Sequence, residues 1–326
     1  MRFFYLLLFC YCFHTSCITP DTIFPREDTL TQELMPLQGT TYPIRVEVKH
    51  PFLIIQNIKR TDSLFHIYNL TNNELKSAFG VIGQGPGDFV HPWLLHTQLS
   101  NFLISDSKCV NWFNINENGQ PKFEYSKLPG YINARYDPVF ISDSLYVIDA
   151  MYLGPDLYLF NLLDELPKKT WKYRNPSIRD YYIDPNMGNV YANENRIAFC
   201  YGYKKQIDFF DIELNLIKRV KFKYNCPSKI NGEDDKVSYT YGYFGKNYLY
   251  VLFFGTSWNE HRYLNSHRGT FLEVFDLDGN PVARYNFDGI IPIYFAVDEE
   301  TFTLYGAGDN GYPEDYLLVY KLKGLS

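Results

Sequence analysis

The sequence predicts an all-β protein, a six-bladed β-propeller, and three observations carry that prediction. First, six short segments share one pattern, an aromatic followed two residues later by an aliphatic or similar apolar residue. They are Ile67-Tyr68-Asn69-Leu70, Trp112-Phe113-Asn114-Ile115, Leu159-Phe160-Asn161-Leu162, Phe209-Phe210-Asp211-Ile212, Val274-Phe275-Asp276-Leu277 and Val319-Tyr320-Lys321-Leu322. Their aromatics are spaced by 45, 47, 50, 65 and 45 residues, which sets a repeat near 45 to 50 with an insertion in the fifth. Second, aromatics make up 18% of the 326 residues, with 29 Tyr and 26 Phe, side chains that favour strands and fill the space between sheets. Third, Asn118-Gly119 and Asp278-Gly279 each separate two strand-like runs, and such dipeptides tolerate the backbone angles of a tight reversal.

Each repeat can be filled in from these anchors. A second apolar strand precedes each shared segment: Phe52-Leu53-Ile54-Ile55, Phe102-Leu103-Ile104, Leu145-Tyr146-Val147-Ile148, Val190-Tyr191-Ala192, Tyr248-Leu249-Tyr250-Val251-Leu252 and Phe302-Thr303-Leu304-Tyr305. A further strand follows the first five, as in Lys122-Phe123-Glu124-Tyr125 and Val282-Ala283-Arg284-Tyr285. Such meanders cannot cover both faces alone, whereas radial stacking does so and leaves only short edges. The sixth repeat ends at Ser326 with no room for its outer strand. The alternating lead-in Tyr42 to Val48 is expected to supply that strand and close the ring.

The N-terminus reads as an address. Met1 and Arg2 precede an apolar run, Phe3 to Phe13, too short to span a bilayer and shaped like an export signal. The following His14-Thr15-Ser16-Cys17 resembles a bacterial lipoprotein cleavage box, with Cys17 as the lipidated first residue, although His14 stands where an aliphatic is usual. This divides the chain into a signal (1–16), a tether (17–33) and one propeller domain (34–326). Loss of Arg2 with the signal takes the formal charge from -6 to -7. With a pI near 5.7, the acidic balance excludes a general nucleic-acid surface. Cys109, Cys200 and Cys226 remain, an odd number without a C-x-x-C pair, and read as free thiols rather than a disulfide framework or zinc site.

Phe79 to Pro92 contains Gly83-Gln84-Gly85-Pro86-Gly87-Asp88-Phe89. This run resembles the G-x-G-P-G-[DE]-F segment of the Bacteroides-type BF3164-like lipoproteins, a TolB-like group of six-bladed propellers, and the resemblance spans roughly residues 34–322. It implies a propeller on a lipid-anchored cell-envelope protein, at the outer membrane, and carries over no catalytic residues. Read physically, the segment is a glycine-rich inter-blade loop, with Gly83, Gln84, Gly85, Pro86, Gly87 and Asp88 as a candidate contact surface. It lacks dinucleotide spacing and a following helix, so it is no nucleotide site.

Two constellations remain. Asn57, Asp106, Asp149, Asn193, Glu194 and Asp309 recur after the second strand of several repeats. Oxygen ligands converging from several blades at a channel mouth could hold calcium, and Asp106, Asp149, Asn193 and Asp309 are the candidates. Repeated Asp and Asn also arise from turns that bond their own backbone, and that is the expected role here. The insertion in the fifth repeat holds Trp258, His261, Arg262, Tyr263, His267 and Arg268, residue types suited to an interface. Trp171-Lys172-Tyr173-Arg174, Lys204-Lys205 and Asn231 to Lys236 read as solvated strand ends and turns. No nucleophile elbow or His-x-x-x-His exists. The expectation is a cofactor-free, non-catalytic binding or scaffold module for an envelope protein, glycan or small solute, held to the membrane by lipid. The alternative is a metal-dependent propeller hydrolase or lyase acting on a lactone or carbohydrate.

Overall fold

A computed structural model describes residues 23–39, 41–59, 63–107, 109–127, 138–149, 156–264 and 269–325, with the side chains of 262–264 and 310 outside that set. The signal and Cys17 fall outside the described residues.

Six antiparallel sheets follow one another around a ring. Two strands come before the first blade: β1 (Glu27–Thr31) and β2 (Glu33–Pro36). Blade I is β3 (Pro43–Lys49), β4 (Phe52–Asn57), β5 (Phe65–Asn69) and β6 (Glu74–Phe79). Blade II is β7 (Pro92–Leu95), β8 (Phe102–Asp106), β9 (Cys109–Ile115) and β10 (Pro121–Lys127). Blade III is β11 (Val139–Phe140), β12 (Leu145–Asp149), β13 (Asp156–Asn161) and β14 (Lys169–Lys172). Blade IV is β15 (Gly188–Ala192), β16 (Ile197–Tyr201), β17 (Gln206–Phe210) and β18 (Leu216–Lys221). Blade V is β19 (Tyr239–Phe244), β20 (Tyr248–Phe253), β21 (Phe271–Asp276) and β22 (Pro281–Asp288). Blade VI is β23 (Tyr294–Asp298), β24 (Thr303–Ala307) and β25 (Tyr316–Lys321).

The second strand of each blade is mostly apolar because both of its faces are buried, one against each neighbouring blade. In β4, Phe52 and Ile54 face blade II while Leu53 and Ile55 face blade VI. In β16, Ile197 and Phe199 face blade III while Ala198 and Cys200 face blade V. The six repeated aromatics obey one rule: each is buried and points into the junction with the preceding blade. Phe113, Phe160, Phe210 and Phe275 pack at the I–II, II–III, III–IV and IV–V junctions. Tyr68 and Tyr320 share the continuous cluster that spans blades V, VI and I. The core is therefore a ring of inter-blade layers, and the constant aromatic spacing is its trace in the sequence.

Ring closure differs from the sequence expectation. Residues 43–49 form the innermost strand of blade I, paired with β4. The outer strand of blade VI is instead β2, antiparallel to β25 with Met35 opposite Leu317. The run just before it, β1, adds a fifth, parallel strand to blade V. The tether expected over 17–33 thus ends earlier, since Phe24 and Leu30 are 3% and 1% exposed. Only Met35 of β2 is buried, so its sequence carries no alternation. The second-strand assignment in blade IV is also corrected. Val190-Tyr191-Ala192 belongs to the innermost strand, and the second strand is Ile197–Tyr201. Cys109, Cys200 and Cys226 are free, as expected.

Candidate functional site

The innermost strands run in one direction, so their N-terminal ends share one face of the ring and their C-terminal ends the other. Between them lies a cavity of about 390 Å³ walled by all six blades. Arg45, His96, Val139, Asn189, Tyr241 and Tyr294 each represent one blade in its lining. Arg45 lies 4.6 Å from the Trp93 ring centre and 5.5 Å from that of Tyr294, and donates to the Leu94 carbonyl at 3.1 Å.

The channel is closed at the C-terminal ends of these strands. His96 of blade II reaches the Phe244 carbonyl of blade V, on the opposite side of the ring, at 3.0 Å. Gln98 donates to the same carbonyl at 2.9 Å. The other imidazole nitrogen of His96 meets Glu47 at 2.8 Å, and Lys49 meets Glu47 at 2.9 Å. Glu47 is 1% exposed. Burial alone raises its pKa, but the charges of Lys49 and His96 reverse that and hold it below the ordinary value.

The opposite end adjoins a second cavity of about 370 Å³ over blades IV, V and VI. Its walls share Gly188, Asn189, Thr240, Tyr241 and Tyr294 with the channel, so the two spaces form one funnel. Tyr241 meets Tyr294 edge-on at 5.1 Å and Tyr191 at 6.2 Å, a chain of rings across three blades. The fifth-repeat insertion supplies part of the mouth as a short helix, α1 (Trp258–Leu264). Ser257 and Glu260 start it as a capping box, each side chain accepting from the other's backbone N–H. Trp258 and His261 then pack on Phe254, 4.9 and 4.5 Å away, and line the mouth. Of Arg262 and Tyr263 only the helical backbone is described, and His267 and Arg268 lie outside the described residues.

The glycine-rich segment sits on the same face but not in the funnel. It folds into a compact loop between blades I and II, bridged at Ile82 and Phe89, where the Asp88 carboxylate accepts from the Gly85 N–H at 2.7 Å. A Cβ on Gly83 would stand 2.2 Å from that carboxylate, and Gly87 has φ +85°, so these two glycines are required by the loop itself. Pro86, Gly87 and Asp88 border a separate groove of about 510 Å³ with Phe79, Phe113 and Phe123; Gln84 is exposed away from its lining.

The four metal candidates do not converge. Asp106 accepts from the N–H groups of Val90 and His91 and so fixes the end of the glycine-rich loop. Asn193 follows an innermost strand and lies on the plugged face, donating to the Gly245 carbonyl and capping Asn195 and Arg196. Asp309 opens a 3-10 turn (Asp309–Gly311) in blade VI. Asp149 alone lines the channel, and Tyr173 donates to it at 2.5 Å. Burial, with the nearby Asp156 charge adding to it, pushes the Asp149 pKa up to about 7 against the opposing pull of the Tyr173 hydrogen bond. Asn57 caps the Tyr42 N–H instead of facing the channel. Among the described residues no group of three His, Cys, Asp or Glu side chains is placed to hold a metal.

Two segments expected to be solvated are not. Tyr173 is buried against Asp149, and Lys205 is 8% exposed, paired with buried Glu273 at 2.7 Å. Arg45, Glu47, His96 and Asn189 drew no attention as sequence because each is isolated along the chain, and only ring closure assembles them.

Comparison with known proteins agrees with this architecture. The family described as TolB-like 6-blade propeller-like matches residues 194–300. No curated protein matches the sequence significantly. An exported protein of Bacteroides fragilis superposes with a TM-score of 0.56 at 10% identity, covering 90% of this chain and 98% of its own. A member of the DUF4221 family from Bacteroides vulgatus gives 0.57 at 14% identity, covering 89% and 95%. By fold the chain is a six-bladed β-propeller, similar to the TolB-like propellers and to these Bacteroides proteins.

Proposed function

We propose that this protein is a lipid-anchored cell-envelope binding module that takes its ligand, without chemical change, into the one-ended funnel. The observation that carries the reading is a cavity walled by described residues of all six blades, with His96 reaching across its base to the Phe244 carbonyl. A blind, aromatic-rimmed cavity with a few placed polar groups has the form and size of a small-ligand site. Trp258 and His261 at the mouth support the expectation that the fifth-repeat insertion takes part.

The test has two arms. Cys17→Ser should move the protein from the membrane to the soluble fraction and remove the lipid mass; unchanged fractionation defeats the anchor. Native mass analysis of the protein from its envelope should show a bound small molecule that is lost in Asn189→Trp, which fills the junction of the two cavities. A ligand retained in that variant places the site elsewhere.

A second reading has one observation in its favour. Asp149, near half-protonation at neutral pH in the channel wall and bonded to Tyr173, has the form of a general acid or base for an ester, lactone or glycoside substrate. An ester and lactone screen in which wild type turns over and Asp149→Asn does not would replace binding with hydrolysis.

A further inference from the structure

The two halves of the funnel differ in chemistry. The outer cavity gathers Met187, Val237, Leu252, Phe254, Ile291 and Ile293, and no Asp, Glu, Lys or Arg is among its described lining residues. The inner channel carries Arg45, Asn189, His96 and Asp149. Polarity therefore increases inward from an apolar vestibule. Fully polar ligands would leave the vestibule wall in contact with water, and fully apolar ones would leave the channel groups without partners, each at a cost. A ligand matching both has two dissimilar ends.

We propose that the funnel takes a single-chain amphiphile, its hydrogen-bonding head seated inward beside Asn189 and its apolar tail along Met187 and Ile293; this rests on the funnel being the ligand site. Asn189 stands on the wall common to both cavities, at the point where head and tail meet. Its side-chain amide donates to the Thr240 carbonyl at 3.3 Å, which holds the side chain along the wall and leaves its own oxygen as an acceptor. The sealed base sets how far the head travels. Tail length then governs affinity through contact with the vestibule.

The test uses the full chain carrying Cys17→Ser, so that no solubilising detergent competes, and isothermal titration with glucose, hexyl glucoside and octyl glucoside below micelle formation. Burial of each methylene strengthens binding by about threefold to fourfold, so octyl glucoside should bind roughly tenfold tighter than hexyl glucoside, with glucose silent. Met187→Glu and Ile293→Glu each place a charge against the tail and should weaken octyl glucoside at least tenfold; Trp258→Ala, at the mouth, serves if either melts early. Glucose binding as tightly as octyl glucoside overturns the amphiphile and leaves the funnel as the site. Octyl glucoside binding undiminished in these variants and in Asn189→Trp overturns both. Silence from every probe overturns the amphiphile.

Discussion

His96 Nε2 and the Phe244 carbonyl meet at 3.0 Å across the axis of the propeller, joining blade II to blade V directly opposite. Both imidazole nitrogens face acceptors, Glu47 on one side and Phe244 on the other. The plug is thus a buried carboxylate held between the Lys49 ammonium and the His96 ring.

Removal of Glu47 should be the most damaging change at the plug. Glu47→Ala leaves the Lys49 ammonium without its counter-ion in a largely buried place, a loss of about 3–5 kcal/mol for such pairs. Glu47→Gln keeps the shape and should cost less. Urea denaturation at pH 7 measures both, and equal losses would mean that packing, not charge, matters at this position.

The same carboxylate fixes the sign of an acid effect. Its folded pKa lies below the unfolded value, so the stability it adds is complete above the unfolded carboxylate value of about 4.3 and is lost as pH falls through the folded pKa. Wild type should lose stability below about pH 4.5, and Glu47→Gln should lose less over that range. Thermal melts from pH 3 to 6 would show parallel curves if Glu47 took no part.

Asp149 acts in the opposite direction. Its folded pKa is raised to about 7, so the folded protein holds a proton that the unfolded chain has released. Its contribution is complete below the unfolded value of about 3.9 and is lost as pH rises from there through about 7. Asp149→Asn should abolish that decline and gain relative stability at pH 8 over pH 5. An unchanged pH profile would show that channel water solvates the carboxylate.

Ring closure by β2 gives a global prediction. Met35 is 5% exposed and lies in the cluster that joins blades V, VI and I. Met35→Ala should cost about 2–4 kcal/mol, as buried truncations do. Deleting residues 27–36 should lower the melting temperature of the whole protein while leaving a single transition. A second, separate transition would mean that blade VI melts alone and that the strap does not couple the ring.

What the sequence made legible is the part with translational order. Tyr68, Phe113, Phe160, Phe210, Phe275 and Tyr320 occupy equivalent junctions, so one packing demand repeats six times and reads as a period. The turns at Asn118-Gly119 and Asp278-Gly279 are local and equally readable: Gly119 and Gly279 adopt φ of +77° and +70°. Closure was not legible, because Glu33–Pro36 shows one buried side chain and no alternation strong enough to distinguish it from a tether. The repeat at Val190 was displaced by one strand for a related reason: inner and second strands of blade IV are both apolar, and only the position of the shared aromatic separates them. Trp258 and His261 were singled out from an insertion. Arg45, Glu47, His96 and Asn189 became a constellation only once opposite blades met.

The last prediction concerns the buried junction between blades IV and V. Glu273 is fully buried in β21 and receives Lys205 at 2.7 Å, Arg284 at 3.1 Å and the Tyr239 hydroxyl at 2.9 Å. Lys205 also lies 3.8 Å from the Phe253 ring centre, and burial draws its pKa down against the pull of Glu273. One carboxylate therefore holds two cations that belong to different blades. Glu273→Ala strands the buried Lys205, while Arg284 keeps Glu27 at 3.2 Å, and should cost about 3–5 kcal/mol. Lys205→Met leaves Glu273 with Arg284 and Tyr239 and replaces an ammonium among aromatic rings by a thioether of similar length, so its cost should stay near 1 kcal/mol. The double variant should then lose less than the sum of the two, because part of the Glu273→Ala penalty is the stranded Lys205 charge. Chemical denaturation of the four proteins reads the coupling, and strict additivity would show that Lys205 and Glu273 do not act as a pair.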